Sequence, residues 1–413
     1  MVGTVGDRGP VRRTLGGAMS TPTVYLDHAA TTPMVPAAVE AMTAQLLEVG
    51  NASSLHASGR RARRVVEESR ETIAQALGCR PGEVVFASGG TESDNLALKG
   101  VFWSRRAADP RRTRILSTAI EHHAVLDPLA WLAEGAEQAE VELLPVDARG
   151  RLDPATLEAA IERDPDTVAL VSVMWANNEV GTLQPIDEVV ALAGRYDIPV
   201  HTDAVQAVGA VPVDFATSGV DALTLTGHKL GGPYGIGALL ARRQLDMTAL
   251  LHGGGQERDV RSGTIDPPAV AGFAAAVELA VKQQADYAVR VAGLRDRLVR
   301  GVLAAAPEAV LNGPDPAEPG ARLPGIAHFS FPDCEGDSLL MLLDARGIEC
   351  STGSACSAGV PQPSHVLLAM GRDDRTARSS LRFSLGHTST EADVDALVAA
   401  IGPSVERART AHA

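Results

Sequence analysis

Between residues 83 and 242 the apolar positions fall in short blocks separated by longer amphipathic stretches. The blocks are "EVVF" (Glu83–Phe86), "RILST" (Arg114–Thr118), "VELLPV" (Val141–Val146), "VALVSVM" (Val168–Met174), "IPVHTDA" (Ile198–Ala204), "DALTLTG" (Asp221–Gly227) and "IGALLA" (Ile236–Ala241). Several are apolar at successive positions, the pattern of strands covered on both faces. Helical patterns lie between them, such as Pro154–Glu162, with Asp153 placed to cap the first turn and Pro154 at the first helical position. This alternation predicts an α/β domain with a mostly parallel sheet, whose ligands sit at the carboxyl ends of the strands. An alanine-rich helical pattern then runs from 268 to 305, with Gly272 and Gly293 as its weak points. After the turn-rich "NGPDPAEPGARLPG" (Asn312–Gly325) a second unit begins, with "HFSF", a helix near Asp337–Asp344 and "SLRFSLG" (Ser380–Gly386).

Composition narrows the functional classes. The 413 residues are 45% hydrophobic and 21% charged, which suits a large globular core. Lysine and arginine total 37 against 51 acids, a net charge of −14, so no nucleic-acid-binding surface is expected. No apolar run reaches the roughly 20 residues of a membrane span. Residues 1–20 carry glycines and arginines without an apolar core, so they read as a disordered tail and not as a secretory signal; Met19 is the more natural start. Four cysteines without a C-x-x-C pair argue against a disulfide framework or a metal site and for a reducing, cytoplasmic compartment.

The chemistry concentrates around Lys229, in "DALTLTGHKLGGPYGIGALL" (Asp221–Leu240). Alone it reads as a surface lysine after a strand. A lysine desolvated at a strand end has a lowered pKa and can form a Schiff base with an aldehyde cofactor, of which pyridoxal phosphate is the common one. That cofactor needs phosphate donors, a carboxylate for its ring nitrogen, a hydrogen bond to its phenolic oxygen and a stacking face. Gly90 and Thr91, in "FASGGTESDNLALKG", offer backbone N–H groups and a hydroxyl at a helix start. Asp203 ends an apolar strand and needs a partner, which a pyridinium N–H supplies. Gln206, three residues on, is expected one helical turn along the same face. Thr226 and His228 flank Gly227 as further phosphate donors, and His122, in "IEHHAVLDP", can stack on the ring. Asn177 and Asn178 end another strand with amides able to hold a carboxylate or the phenolic oxygen. Each has a plainer alternative: a tight turn, a helix cap, a solvated loop histidine or a turn asparagine.

Longer segments carry a resemblance. "LDHAATTP" (Leu26–Pro33), "GNASSLH" (Gly50–His56), "SGGTESDN" (Ser88–Asn95), "EHHAVLD", "NNEVGTLQPI", "DAVQ", "TGHKLGGPYGIGAL", "HGGGQERDVRSGT" (His252–Thr264), "STGSACSAG" (Ser351–Gly359), "PSHVLLAMG" (Pro363–Gly371) and "LRFSLG", in this order, resemble a cysteine desulfurase of the NifS/IscS type. The resemblance implies a dimeric, pyridoxal phosphate-dependent fold-type I enzyme that takes sulfur from L-cysteine and releases L-alanine. It implies a large domain over 38–282 on a mostly parallel seven-stranded sheet. A smaller α+β domain from 21–37 and 283–413 would carry the cysteine loop. Carried onto this sequence, Lys229 is the Schiff-base lysine and Gly90, Thr91, Thr226 and His228 lie on the phosphate side. Asn178, Asp203 and Gln206 hold the ring, His122 stacks on it, and Arg382 holds the substrate carboxylate, with Asn178 beside the substrate. Thr264 reaches the phosphate of the other subunit's cofactor. Thr226 stands where the family often has serine, with the hydroxyl kept. The extended "GSACSAG…PSHVL" segment resembles the family's mobile-loop group.

Cys356 is the cysteine implied to accept sulfur. Carbon–sulfur cleavage needs a thiolate that reaches the substrate sulfur and then an acceptor, and a small-residue loop with Gly353 and Gly359 suits such movement. Cys79, Cys334 and Cys350 lie against apolar segments and read as structural. A sulfur-acceptor protein is the expected partner, serving iron–sulfur cluster assembly, tRNA thiolation or cofactor thiolation. Ligation of a cluster by Cys356 during transfer is left open. Competing readings are another fold-type I enzyme (a selenocysteine lyase, a kynureninase-like hydrolase or an aminotransferase) and a sulfur-delivery scaffold without catalysis. "HGGG" (His252–Gly255) resembles an esterase oxyanion motif, but no G-x-S-x-G accompanies it.

Overall fold

The computed structural model describes residues 23–353 and 362–412. A short strand, β1 (Val24–Tyr25), precedes the main sheet. The main sheet comprises β2 (Val84–Ala87), β3 (Arg114–Thr118), β4 (Glu140–Leu144), β5 (Val168–Ser172), β6 (Val200–Asp203), β7 (Ala222–Thr226) and β8 (Gly237–Ala241). Its seven strands lie in the order β2-β8-β7-β6-β5-β3-β4, and β8 alone runs against the rest. The fold is therefore α/β with a mostly parallel sheet, as the block pattern predicts. All strands but β4 are buried at every position, because helices cover both faces. The edge strand β4 is exposed or half-buried at every position but Leu144.

The helix Pro154–Glu162 has the bounds that its cap pattern predicts, and the Asp153 carboxylate accepts the Ala155 N–H. The long helix expected over 268–305 is instead two helices, Pro267–Lys282 and Gln284–Ala305. The break falls at Gln283 and not at either glycine. Helix-forming residues run through it, so the cause is tertiary: the first helix packs on Pro36–Leu46 and Ala57–Ala76, the second on Glu391–His412.

Downstream lie β9 (Val310–Asn312), β10 (Ile326–Ser330), β11 (Ile348–Glu349) and β12 (Ser380–Ser384). They form an antiparallel sheet β12-β10-β9 and a parallel pair β1-β11. A separate apolar cluster, with Phe329, Phe331 and Phe383 at its centre, fills the space between these strands and the helices Gln284–Ala305 and Glu391–His412. The turn between Leu26 and Thr32 bridges the two sheets: His28 N–H donates to the Ser384 carbonyl and Thr32 N–H to the His228 carbonyl. That geometry brings Arg382 on β12 to the carboxyl ends of β6 and β7.

Candidate active site

A cavity of about 370 Å³ opens at the carboxyl ends of the sheet strands. Gly90, Thr91, His122, Asn178, Asp203, Gln206, Thr226, His228, Lys229 and Arg382 all line it. The structure thus brings together every described residue singled out for the cofactor or substrate except Asn177 and Thr264. Thr264 is exposed, in the stretch before the helix Pro267–Lys282, and does not border the cavity of its own chain. Cys356 lies outside the described residues, but Ser351, Gly353 and His365, on either side of its segment, line the same cavity.

Lys229 closes a single 3-10 turn, Gly227–Lys229, directly after β7. Its Nζ donates to the Ala29 and Ala30 carbonyls at 2.6 and 2.5 Å. Burial first, and then the Arg382 guanidinium, lower the amine to about 8. Near neutrality a useful fraction is therefore uncharged and nucleophilic.

The helix Gly90–Ala108 starts without a side-chain cap. Gly89 before it has φ 155°, open to glycine alone, and a Cβ on Gly90 would meet Val205 Cγ2 at 3.2 Å. The first turn therefore offers its N–H groups to the cavity, with the positive end of the helix dipole behind them. The Thr226 hydroxyl, on the same side, donates to the Ile236 carbonyl at 3.2 Å. His228 stacks on Tyr234 with ring centres 5.6 Å apart.

Asp203 ends β6, is 7% exposed, and accepts only the Val205 N–H at 2.9 Å. Burial, followed by the charge of Asp94, raises its carboxyl to about 7. The helix expected from Asp203 through Gln206 is absent. Residues 205–210 form consecutive turns, because the Asp203 side chain itself ties down the Val205 N–H. Gln206 still reaches the cavity, where Nε2 donates to the Ala29 carbonyl at 2.9 Å.

His122 is the N-cap of the helix His123–Glu134, its Nδ1 accepting the Ala124 N–H at 3.1 Å. Burial and the Lys229 charge lower it to about 4, so the ring is neutral with its proton on Nε2. Asn177 and Asn178 separate in role. Asn177 is wholly buried and spent on its own turn, accepting the Glu179 and Val180 N–H groups and donating to the Ile120 carbonyl. Asn178 alone faces the cavity, and its carbonyl accepts Arg382 Nη1 at 3.0 Å. Arg382 Nη2 pairs with Asp27 at 2.7 Å, while Nε is buried without a partner among the described residues. Cys79 and Cys350 are pushed by burial to about 12 and Cys334 is raised as well, which makes all three poor nucleophiles.

The donor set suits pyridoxal phosphate: an uncapped helix start for the phosphate, an under-satisfied carboxylate for the ring nitrogen, and a low-pKa amine between them. Six charged or titratable groups at or beside the cavity escaped the sequence reading: Asp94, Glu179 and His365 line it, and Asp27, Glu121 and His201 stand beside its walls. All of them stand inside segments quoted above, among them Asp27 in "LDHAATTP", Asp94 in "SGGTESDN" and Glu121 in "EHHAVLD". That is the one signal that could have flagged them.

The comparisons with known proteins agree with this geometry. Residues 24–397 match the family described as aminotransferase class-V. An IscS-like cysteine desulfurase of Mycobacterium tuberculosis is 59% identical over 387 residues, 94% of this chain and 97% of that one. Cysteine desulfurase IscS of Dictyoglomus turgidum is 42% identical over 94% of this chain and 95% of its own. A solved NifS-like protein superposes with a TM-score of 0.85 at 36% identity, covering 93% of this chain and 100% of its own. The chain belongs to the class-V aminotransferase family, among its IscS- and NifS-like cysteine desulfurases.

Proposed function

We propose that the protein is a cysteine desulfurase: it converts L-cysteine to L-alanine and passes the sulfur, as a persulfide on Cys356, to an acceptor protein. The convergence of Lys229, Asp203 and Arg382 on one cavity beside an uncapped helix start carries this reading. Pyridoxal phosphate, the family's cofactor, supplies the electron withdrawal that makes the substrate Cα acidic. Gly90, Thr91, Thr226 and His228 would hold its phosphate, Asp203 its ring nitrogen, and Asn178 and Gln206 its phenolic oxygen, with His122 against the ring face.

The remaining chemistry belongs to the chain. Arg382, which lines the cavity, binds the substrate carboxylate, while Asp27 holds its guanidinium through Nη2. Neutral Lys229 Nζ takes the Cα proton, and its lowered pKa keeps that amine available near neutrality. The Cys356 thiolate attacks the substrate sulfur. The new S–S bond forms as the Cβ–S bond breaks, and the electron pair stays with the carbon skeleton, which gains protons to become alanine. His122, with its proton on Nε2, is placed to give one of them. Persulfide and alanine together hold all the atoms of cysteine and the enzyme thiol, so no outside oxidant or reductant enters.

Thr264 supports a homodimer in which each chain completes its partner's phosphate site, since the residue is exposed away from its own cavity. Exposed Leu46, Leu47, Val49 and Leu55 offer apolar surface for that contact. The sulfur acceptor serves cluster assembly or thiolation, in the cytoplasm, where thiols such as Cys79, Cys334 and Cys350 stay free. Among the described residues no helix is long and apolar enough to cross a membrane. A division into a large unit over 38–282 and a small one from 21–37 and 283–413 is supported by the apolar cluster around Phe329, Phe331 and Phe383, whose members all belong to the second unit.

The deciding experiment compares wild type with Cys356→Ser, measuring alanine released from L-cysteine. Loss of about 10³-fold or more is expected, as when a covalent nucleophile is removed. Undiminished turnover would overturn the persulfide route.

A further inference from the structure

Behind the Asp203 face of the cavity sits a second acid. Asp94, on the inner side of the helix Gly90–Ala108, is 1% exposed and borders the cavity wall. Among the described residues, neither of its carboxylate oxygens has a hydrogen-bond partner in good geometry. Its nearest basic atom is His201 Nε2, 3.5 Å from Oδ1. His201 precedes Asp203 by two residues on β6 and is wholly buried. His201 Nδ1 lies 2.9 Å from Ser172 Oγ on β5, and its Nε2 lies 3.1 Å from Thr224 Oγ1 on β7. The helix bearing Asp94 packs on β2, β5, β6, β7 and β8 and on the helix His123–Glu134. The charged or titratable groups facing the cluster from those elements are Asp203 and His201, Glu121 and His122 ahead of the last helix, and Lys229 after β7.

Two carboxylates that share one water-excluded pocket cannot both ionise at ordinary pH. The charge goes where donors and cations are. Asp203 has the Val205 N–H and the attraction of Lys229, whereas burial leaves Asp94 opposed only by the Thr224 hydroxyl. We propose that Asp94 is a positioning residue: it holds a proton toward His201 behind β6, so that the negative charge of the pair settles on Asp203, the carboxylate that faces the cavity. A protonated Asp94 donates toward His201 Nε2, and the ring then keeps its proton on Nδ1 and gives it to Ser172. The chain of side chains fixes Asp203 in its ionised form without adding a cation behind it. Burial lowers His201 to about 4, which keeps that ring neutral and the arrangement intact near neutrality. The consequence for Asp203 rests on the cofactor reading above; the location of the proton does not.

The test uses full-length protein and two variants. Infrared difference spectra of wild type against Asp94→Asn, with and without pyridoxal phosphate, are expected to contain a protonated-carboxyl stretch lost in the variant. Identical spectra in that region overturn the proposal. Cofactor titrations followed by absorbance give the functional half. Asp94→Ala leaves His201 without its partner and is expected to weaken pyridoxal phosphate binding about tenfold, whereas Asp94→Asn, neutral and of the same shape, stays within about threefold. Asp94→Asn as weak as Asp94→Ala would mean that the negative charge at 94 is itself needed, which sinks the proposal. Failure of wild type to take up any cofactor would overturn the cofactor reading, and the cofactor-free infrared difference would still decide the proton.

Discussion

Two buried acid clusters flank the start of the helix Gly90–Ala108, and they are built in opposite ways. On one side Glu257, 1% exposed, takes Arg70 Nη1 and Nη2 at 2.9 and 2.7 Å and the Phe86 N–H at 2.8 Å. Arg70 Nη1 also donates to the Val84 carbonyl, and the guanidinium lies over the Phe86 ring. Every strong donor and acceptor there is used. On the other side Asp203 has one donor, Glu121 leaves Oε2 bare, and Asp94 leaves both oxygens bare. Burial is equal, so burial does not separate structure from function here. Satisfaction does: a fully bonded pair fixes the loop 252–264 against β2, and an under-bonded group is held ready for something that arrives.

The contrast breaks most sharply at Arg70. Arg70→Met strands the Glu257 carboxylate in the core, and breaking a buried pair in this way costs about 3–5 kcal/mol. Urea denaturation of the variant is expected to show that loss. Cofactor uptake per folded molecule should survive, because Arg70 touches β2 and Glu257 and does not line the cavity. A variant of unchanged stability would show that full bonding does not mark structural importance here.

Glu121 gives the second test, through pH. It is fully buried, accepting the Thr118 hydroxyl and the Met174 N–H on one oxygen. Burial raises it to about 8. The folded state thus binds a proton that the unfolded state has already released, so stability falls as pH climbs from the ordinary glutamate range to about 8. Glu121→Gln removes this slope. The variant's stability relative to wild type should rise across that window, by on the order of 2 kcal/mol. Buried neutral His201, His122 and His328 act in the opposite sense on the acid side, where protonation of the unfolded chain removes stability. Subtracting the two curves cancels them. A flat difference would mean that Glu121 is ionised in the fold.

These clusters also mark how far the amino-acid sequence could be read. Strand blocks and the cap at Asp153 declare themselves through local pattern, and Lys229, Asp203 and Thr91 through residue type at strand ends. The split at Gln283 is invisible locally, because two helix-forming stretches are parted by what each packs against. Arg70–Glu257 is invisible for a different reason: 187 positions separate the partners, Arg70 looks like a surface residue of an amphipathic helix and Glu257 like a solvated residue of a glycine-rich loop. Asp94, one turn past the phosphate-binding glycine, reads as an ordinary polar helix position until burial is known. Gln206 reached the cavity for a reason other than helical spacing, since the turn after Asp203 delivers it.

Thr226 tests the contrast where the rule and the resemblance disagree. It is 3% exposed and its hydroxyl already donates to the Ile236 carbonyl, so by satisfaction alone it is structural. By resemblance it is a phosphate-side ligand, and it lines the cavity. A hydroxyl has one hydrogen, and a phosphate oxygen is a stronger acceptor than a carbonyl, so the donor should turn when the anion arrives. Thr226→Val is then expected to weaken pyridoxal phosphate binding about fivefold, roughly 1 kcal/mol, while Thr226→Ser restores it. Titration of the three proteins at one salt concentration reads this directly. A valine variant that binds the cofactor as wild type does, and loses only thermal stability, would place Thr226 with Arg70 and Glu257. Satisfaction would then be the better guide to this site than resemblance.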